Sequence, residues 1–211
     1  MLGGVKVHVP DHPLVADRLT RMRARESERP AFRQALEDLS RFLVYEATRD
    51  QAVRSLEIDT PMGPTVGVRI ADVPILVPVM RAGLGMLHAA LDLLPDARTG
   101  FVGMKRDEET LIPHAYVNTV PDSLDGRDIM VLDPMLATGG SAIRACQLLR
   151  NSGAGTITLV CALASPEGIE ALRESGAVDR LFTASIDERL NDVGFILPGL
   201  GDAGDRQFGL N

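Results

Sequence analysis

Apolar residues recur at helical spacing over residues 14–25, and a stronger stripe follows Pro30. In that second stretch Phe32, Leu36, Leu39 and Leu43 step by four, three and four, which puts them on one helical face. Pro30 suits the first turn of such a helix, where its missing N–H has no partner to lose. Pro61-Met62-Gly63-Pro64 has the chemistry of a turn and predicts a link between two short strands. Beyond Asp72 the pattern changes to buried runs alternating with helical segments. Residues 74–80 form a short apolar run, then a glycine-bearing turn, then a helix over 84–94. A strand is predicted over 99–104, an exposed charged loop over 107–114 and a companion strand over 116–120. Residues 129–132 are a four-residue apolar run ending at Asp133, and a helix over 141–150 stops at Asn151-Ser152-Gly153. Strand, helix and strand follow over 156–163, 166–175 and 180–184. Such alternation predicts an α/β fold with a mostly parallel sheet flanked by helices.

With 211 residues and no repeat, low-complexity tract or linker, the chain reads as one domain over 1–211. The two N-terminal helices read as an extension, a hood or dimerisation element on the α/β core. A hydrophobic content of 45% is enough for a substantial core. No apolar stretch has membrane-spanning length and no secretory leader opens the chain, so neither a membrane nor export is expected. Cys146 falls in a predicted helix and Cys161 in a predicted strand, which favours buried thiols in a reducing, cytoplasmic setting over a disulfide framework. A net charge of -7 argues against nucleic acid as a partner. It leaves room for anionic small molecules, because a local group of arginines and backbone N–H groups can outweigh the overall sign.

The stretch most informative for chemistry is Val131-Leu132-Asp133-Pro134-Met135-Leu136-Ala137-Thr138-Gly139-Gly140-Ser141. A buried strand leads into an acid, a small-residue turn and a helix, so Asp133 stands at the carboxyl end of a strand, where open α/β sheets bind ligands. Thr138, Gly139, Gly140 and Ser141 can aim N–H and hydroxyl donors at a phosphate. The same turn could hold a dinucleotide or serve packing alone. It is neither a Walker A loop, since no lysine follows the glycines, nor a GxGxxG turn.

These residues resemble the PRPP (5-phosphoribosyl 1-diphosphate) loop of type I phosphoribosyltransferases, an acidic position followed by Thr-Gly-Gly. In the version from Asp133 to Ser141 they resemble the uracil phosphoribosyltransferase family. Most of the wider fold carries a second acid where Pro134 stands, and the proline is what the uracil branch itself shows. Val79-Met80-Arg81-Ala82-Gly83-Leu84-Gly85-Met86 is similar to the pyrophosphate loop, with Arg81 offering a guanidinium fork. Arg106 matches an arginine of the family's mobile loop. Gly194 to Arg206 is too glycine-rich for a helix or central strand, and it resembles the uracil-binding hood, where main-chain groups at Ile196, Gly201 and Ala203 read the base. Asp202 matches an acid near the PRPP end of that pocket.

The resemblance implies transfer of the phosphoribosyl group of PRPP to uracil, giving UMP and pyrophosphate. It implies that Asp133, Arg106 and Asp202 act in catalysis. PRPP binding falls to Arg81, Arg106, Asp202 and the run Asp133, Pro134, Met135, Leu136, Ala137, Thr138, Gly139, Gly140 and Ser141. Uracil binding falls to Ile196, Gly201, Asp202 and Ala203. Mg2+ enters as cofactor with no protein ligand assigned, GTP as an activator in some members, and a homodimer or higher assembly as the quaternary state. His8, His12, His88 and His114 show no paired metal-ligand spacing and read as structural or solvated.

Overall fold

The computed structural model describes residues 4–106 and 113–209. The chain opens with β1 (Lys6–His8), α1 (Pro13–Arg23) and α2 (Arg29–Ala47). A hairpin follows, β2 (Val53–Thr60) and β3 (Gly63–Ile70), then β4 (Ile75–Met80) and α3 (Leu84–Leu93). Next come β5 (Val102–Arg106), β6 (Pro113–Asn118), β7 (Ile129–Leu132), β8 (Met135–Leu136) and α4 (Gly140–Asn151). The C-terminal part holds β9 (Ile157–Ala164), α5 (Pro166–Ser175), β10 (Arg180–Ile186), β11 (Arg189–Leu190), β12 (Ile196–Leu197) and α6 (Ala203–Phe208).

The main sheet has the order β1-β10-β9-β7-β4-β5-β6, with β8 also paired to β9. Only β6, at one edge, runs antiparallel to its neighbour. All eight residues of β9 and all four of β7 are buried. Strands so uniformly apolar need helices on both faces. On one face Phe32, Leu36, Leu39 and Leu43 of α2 pack with Met86 and Ala90 of α3 over Leu132 and Val160. The N-terminal extension therefore lies across the sheet as part of the core. On the other face Ala142, Cys146 and Leu149 of α4 join Ile169 and Leu172 of α5 over Val131, Leu159 and Cys161.

The turn at 61–64 joins two strands of eight residues each, longer than expected, in a two-stranded ribbon apart from the main sheet. The glycine-rich segment 194–206 differs more. It holds β12, paired with β11, and its last residues begin α6. The glycines at 199 and 201 take positive φ and turn the chain, and Asp202 then starts a helix by accepting a hydrogen bond from Asp205 N at 2.8 Å.

Candidate active site

Strand order decides where a ligand can sit. β4 and β7 are adjacent parallel strands, and the chain after β4 goes to α3 on one face while that after β7 goes to α4 on the other. Their carboxyl ends, Met80 and Leu132, therefore open a crevice between two diverging connections. There lies a cavity of 550 Å³ lined by Val79, Met80, Arg81, Ala82, Met104, Tyr116, Asp133, Ser141, Asp202 and Gly204.

Arg81 and Ala82 follow β4 directly, and the Met80–Arg81 peptide is cis. The turn then tightens, with Gly83 N donating to Val79 O at 2.9 Å and Leu84 N to Arg81 O at 3.1 Å. Gly83 is required by contact. A Cβ there would meet Leu132 O at 2.2 Å and both Val79 backbone atoms at 2.8 Å.

Asp133 follows β7, with its N–H donating to Val160 O at 3.1 Å. Burial raises its carboxyl from 3.8 to about 7, against the opposing effect of a hydrogen bond from the Met135 backbone. The residues after it serve the scaffold first. Pro134 O accepts from Ala162 N and Leu163 N, Met135 and Leu136 form β8, and Leu136 is buried in the core. Leu136 O accepts from Ser165 N at 2.9 Å, and Ala137 O from Ser165 Oγ at 2.7 Å. Gly139, at φ +79°, ends the turn as N-cap of α4, with no side chain of its own to cap the helix. Thr138 Oγ1 accepts from Gly140 N at 3.5 Å, and the next N–H groups of the first turn face the ligand end beside Ser141, which lines the cavity.

The cavity brings together Arg81, Asp133, Ser141 and Asp202. Pro134, Met135, Leu136, Ala137, Thr138, Gly139 and Gly140 form the turn leading to Ser141 and do not line it. Ile196 is a core residue of β12, and Gly201 and Ala203 flank Asp202 without lining the cavity themselves. The Arg106 side chain and the loop at 107–112 lie outside the described residues. Sequence reasoning missed Met104, Tyr116 and Gly204. Tyr116 is half exposed, and its ring lies against Gly103, where a Cβ would come within 2.5 Å. Its only signal in the sequence is its place as one of two tyrosines, beside a charged loop.

Both cysteines and His88 lie outside the cavity. Cys146 and Cys161 are free and buried, and burial pushes both thiols up to about 12, which leaves them unreactive. His88 stands 3.3 Å from Glu37 and 3.8 Å from Asp92 on the surface, but Arg41 already neutralises both acids, at 2.5 and 2.8 Å. Among the described residues no helix is long and apolar enough to cross a membrane.

The sequence pattern of the family described as "Uracil phosphoribosyltransferase" matches residues 9–210. A uracil phosphoribosyltransferase of Corynebacterium diphtheriae is 51% identical, the match covering 97% of each chain. One of Streptomyces avermitilis is 50% identical, over 97% of this chain and 99% of its own. Among solved structures, the AQ2163 protein from Aquifex aeolicus superposes with a TM-score of 0.89 at 37% identity, over 97% of this chain and 99% of that one. A hypoxanthine phosphoribosyltransferase from Staphylococcus aureus, at 10% identity and TM-score 0.51 over 75% of this chain and 76% of its own, shares the fold alone. The relatives match across both loops, the sheet between them and the C-terminal hood, and the chain belongs to the uracil phosphoribosyltransferase family.

Proposed function

We propose that this chain, as a single domain over 1–211, transfers the phosphoribosyl group of PRPP to uracil, forming UMP and releasing pyrophosphate. The observation that carries the reading is the single cavity joining Arg81, Asp133, Ser141 and Asp202 at the carboxyl end of the sheet. The bond from C1′ to the diphosphate oxygen breaks, the bond from C1′ to N1 of uracil forms, and the N1 proton passes to the departing diphosphate or to water. Charge builds on the ribose ring and on the departing diphosphate, so catalysis consists of positioning and charge stabilisation.

The amides at the start of α4 and the Ser141 hydroxyl hold the 5′-phosphate. Asp133 accepts from the ribose hydroxyls. Arg81, with Arg106, offers guanidinium donors to the diphosphate. Mg2+ fits the donor set, because Asp133 and Asp202 provide hard carboxylate oxygens in one cavity and the substrate diphosphate provides more. When bound, the ion adds positive charge beside the leaving group. The base lies against the hood, where main-chain groups at Ile196, Gly201 and Ala203 read its edge, with Asp202 beside them and Gly204 lining the cavity next to Ala203.

Uracil carries two carbonyl acceptors around one N3–H donor, and cytosine replaces one acceptor with a donor. Backbone groups cannot reverse their polarity, so cytosine leaves buried polar groups unpaired, a mismatch worth about 10⁴-fold in discrimination. The test is a panel of uracil, 5-fluorouracil, cytosine, hypoxanthine, xanthine and orotate with PRPP and Mg2+, following pyrophosphate release. Uracil and 5-fluorouracil turn over and the others do not; comparable kcat/KM for uracil and cytosine overturns the base assignment. GTP as an activator rests on the family resemblance alone, and adding it to the uracil reaction tests it.

The protein acts as a homodimer or higher assembly. In support, Val53, Val66 and Val68 share one face of the β2–β3 ribbon at 60%, 66% and 65% exposure, and Met62 at its tip is 96% exposed. These valines sit beside Ser55, Glu57 and Asp59 on the same face, and a two-stranded ribbon that is marginal alone gains from covering of its exposed apolar side chains by a second copy. Two buried free thiols agree with a cytoplasmic site.

A further inference from the structure

Gln207, in the last turn of α6 between Arg206 and Phe208, is fully buried. Its Nε2 donates twice, to Ala82 O at 3.0 Å and to Ala203 O at 2.9 Å. Ala82 lines the cavity next to Arg81, and Ala203 stands between Asp202 and Gly204, which line it too. One amide thus ties together two cavity walls that come from distant parts of the chain. Its backbone is fixed as well, because Arg33 Nη1 donates to Gln207 O at 2.9 Å.

The arrangement is costly. Gln207 Oε1 is buried without a hydrogen-bond partner, and such an atom gives up its hydration with nothing in return. It points at Gly85, where a Cβ would stand 1.9 Å from it, so only glycine at 85 leaves room for the amide. With both Nε2 protons directed at carbonyls, the oxygen faces the Gly85 Cα, a weak contact at most. An apolar side chain of similar volume would fill this place without the unmatched acceptor. Packing therefore does not account for a glutamine, but its two donors do.

We infer that Gln207 is a positioning residue for phosphoribosyl transfer, holding the Arg81 loop and the 201–204 segment at a fixed mutual distance so that base and leaving group meet the ribose in register. The inference rests on the assignment of those segments to diphosphate and base. Each half-site keeps its own binding groups without the bridge, whereas the joint geometry needed in the transition state depends on it.

Gln207→Met keeps length and bulk and removes both donors. It lowers kcat about 10- to 100-fold while KM for uracil and for PRPP each shift less than about threefold. UMP still binds at wild-type stoichiometry by calorimetry, which excludes a loss of active sites. Hydrogen exchange in this variant quickens at both 80–86 and 201–204. A kcat within about twofold of wild type, or faster exchange confined to α6, overturns the inference. Two arms are independent of that variant's folding. Gln207→Leu gives the same pattern, and in wild-type protein Mg2+ pyrophosphate slows exchange at 201–204 as well as at 80–86. Protection confined to 80–86 overturns the bridge. Wild-type protein that makes no UMP overturns the function instead, and the exchange pattern of the Gln207→Met protein then decides the bridge by itself.

Discussion

Asp133 carries a conflict between folding and chemistry. Its carboxyl is raised from 3.8 to about 7 by burial. Between those values the unfolded chain releases the proton and the folded chain keeps it, so folding stability falls as pH rises through this window and stays low above it. Asp133→Asn removes the titration. Its melting temperature matches that of the wild type near pH 4 and exceeds it at pH 8, while turnover falls about 100-fold because a neutral amide is a poorer acceptor for the ribose hydroxyls. Thermal melts across pH, paired with initial rates at pH 8, check both halves. A variant that gains no stability at high pH shows the wild-type carboxyl to be unburied in effect. One that keeps its kcat/KM removes Asp133 from the site.

At the scale of elements, the hood is held by arginines against the N-terminal helices. Arg206 donates to Leu200 O at 3.0 Å, Ala24 O at 2.7 Å and Ser27 O at 3.3 Å, and also to Met22 O, and it lies 4.5 Å over the Phe32 ring. Arg23 reaches Asp187 at 2.5 and 2.7 Å and Gly199 O at 2.9 Å, while Asp187 accepts from Gly199 N. Burial alone would raise the Asp187 carboxyl, and the Arg23 pair with these other donors outweighs it and holds it low. Arg206→Ala leaves several carbonyls without a donor and lowers unfolding free energy by about 2–4 kcal/mol, read from urea denaturation, with KM for uracil raised more than KM for PRPP. Arg206→Lys recovers less than half of that, since an ammonium cannot fork to the same set. An equal rise in the two KM values would detach α6 from the base. This element is also where reading the sequence stopped short. The strand at 129–132, Asp133 and the glycine turn were legible because a buried strand and a positive-φ cap are local matters. The helix at 203–208 was hidden by glycines at 199, 201 and 204, and it exists because Asp202 caps it and Arg206 anchors it. Gln207, Tyr116 and the two-residue β8 depend on partners far along the chain, which no local pattern announces.

For the molecule as a whole, the outlying ribbon and the stiff heart of the sheet have opposite parts. Val66→Glu with Val68→Glu replaces two exposed valines of the ribbon by charges, opposite Glu57 and Ser55, and leaves the main core untouched. The variant sediments as a smaller species than the wild type in analytical ultracentrifugation and keeps its circular dichroism; an unchanged sedimentation coefficient removes the ribbon from the assembly interface. At the centre, the contact of Gly83 with the Leu132 carbonyl joins the ends of β4 and β7 at atomic contact. Anything larger than hydrogen at position 83 wedges the two apart, moving Arg81 and Asp133 together. The cavity thus behaves as a clamp with one jaw cast in a single piece: the grip on the sugar and the grip on its leaving group cannot be adjusted separately from that side. Change in substrate preference falls instead to the other lining residues, Met104, Tyr116 and the short stretch from Gly201 to Gly204.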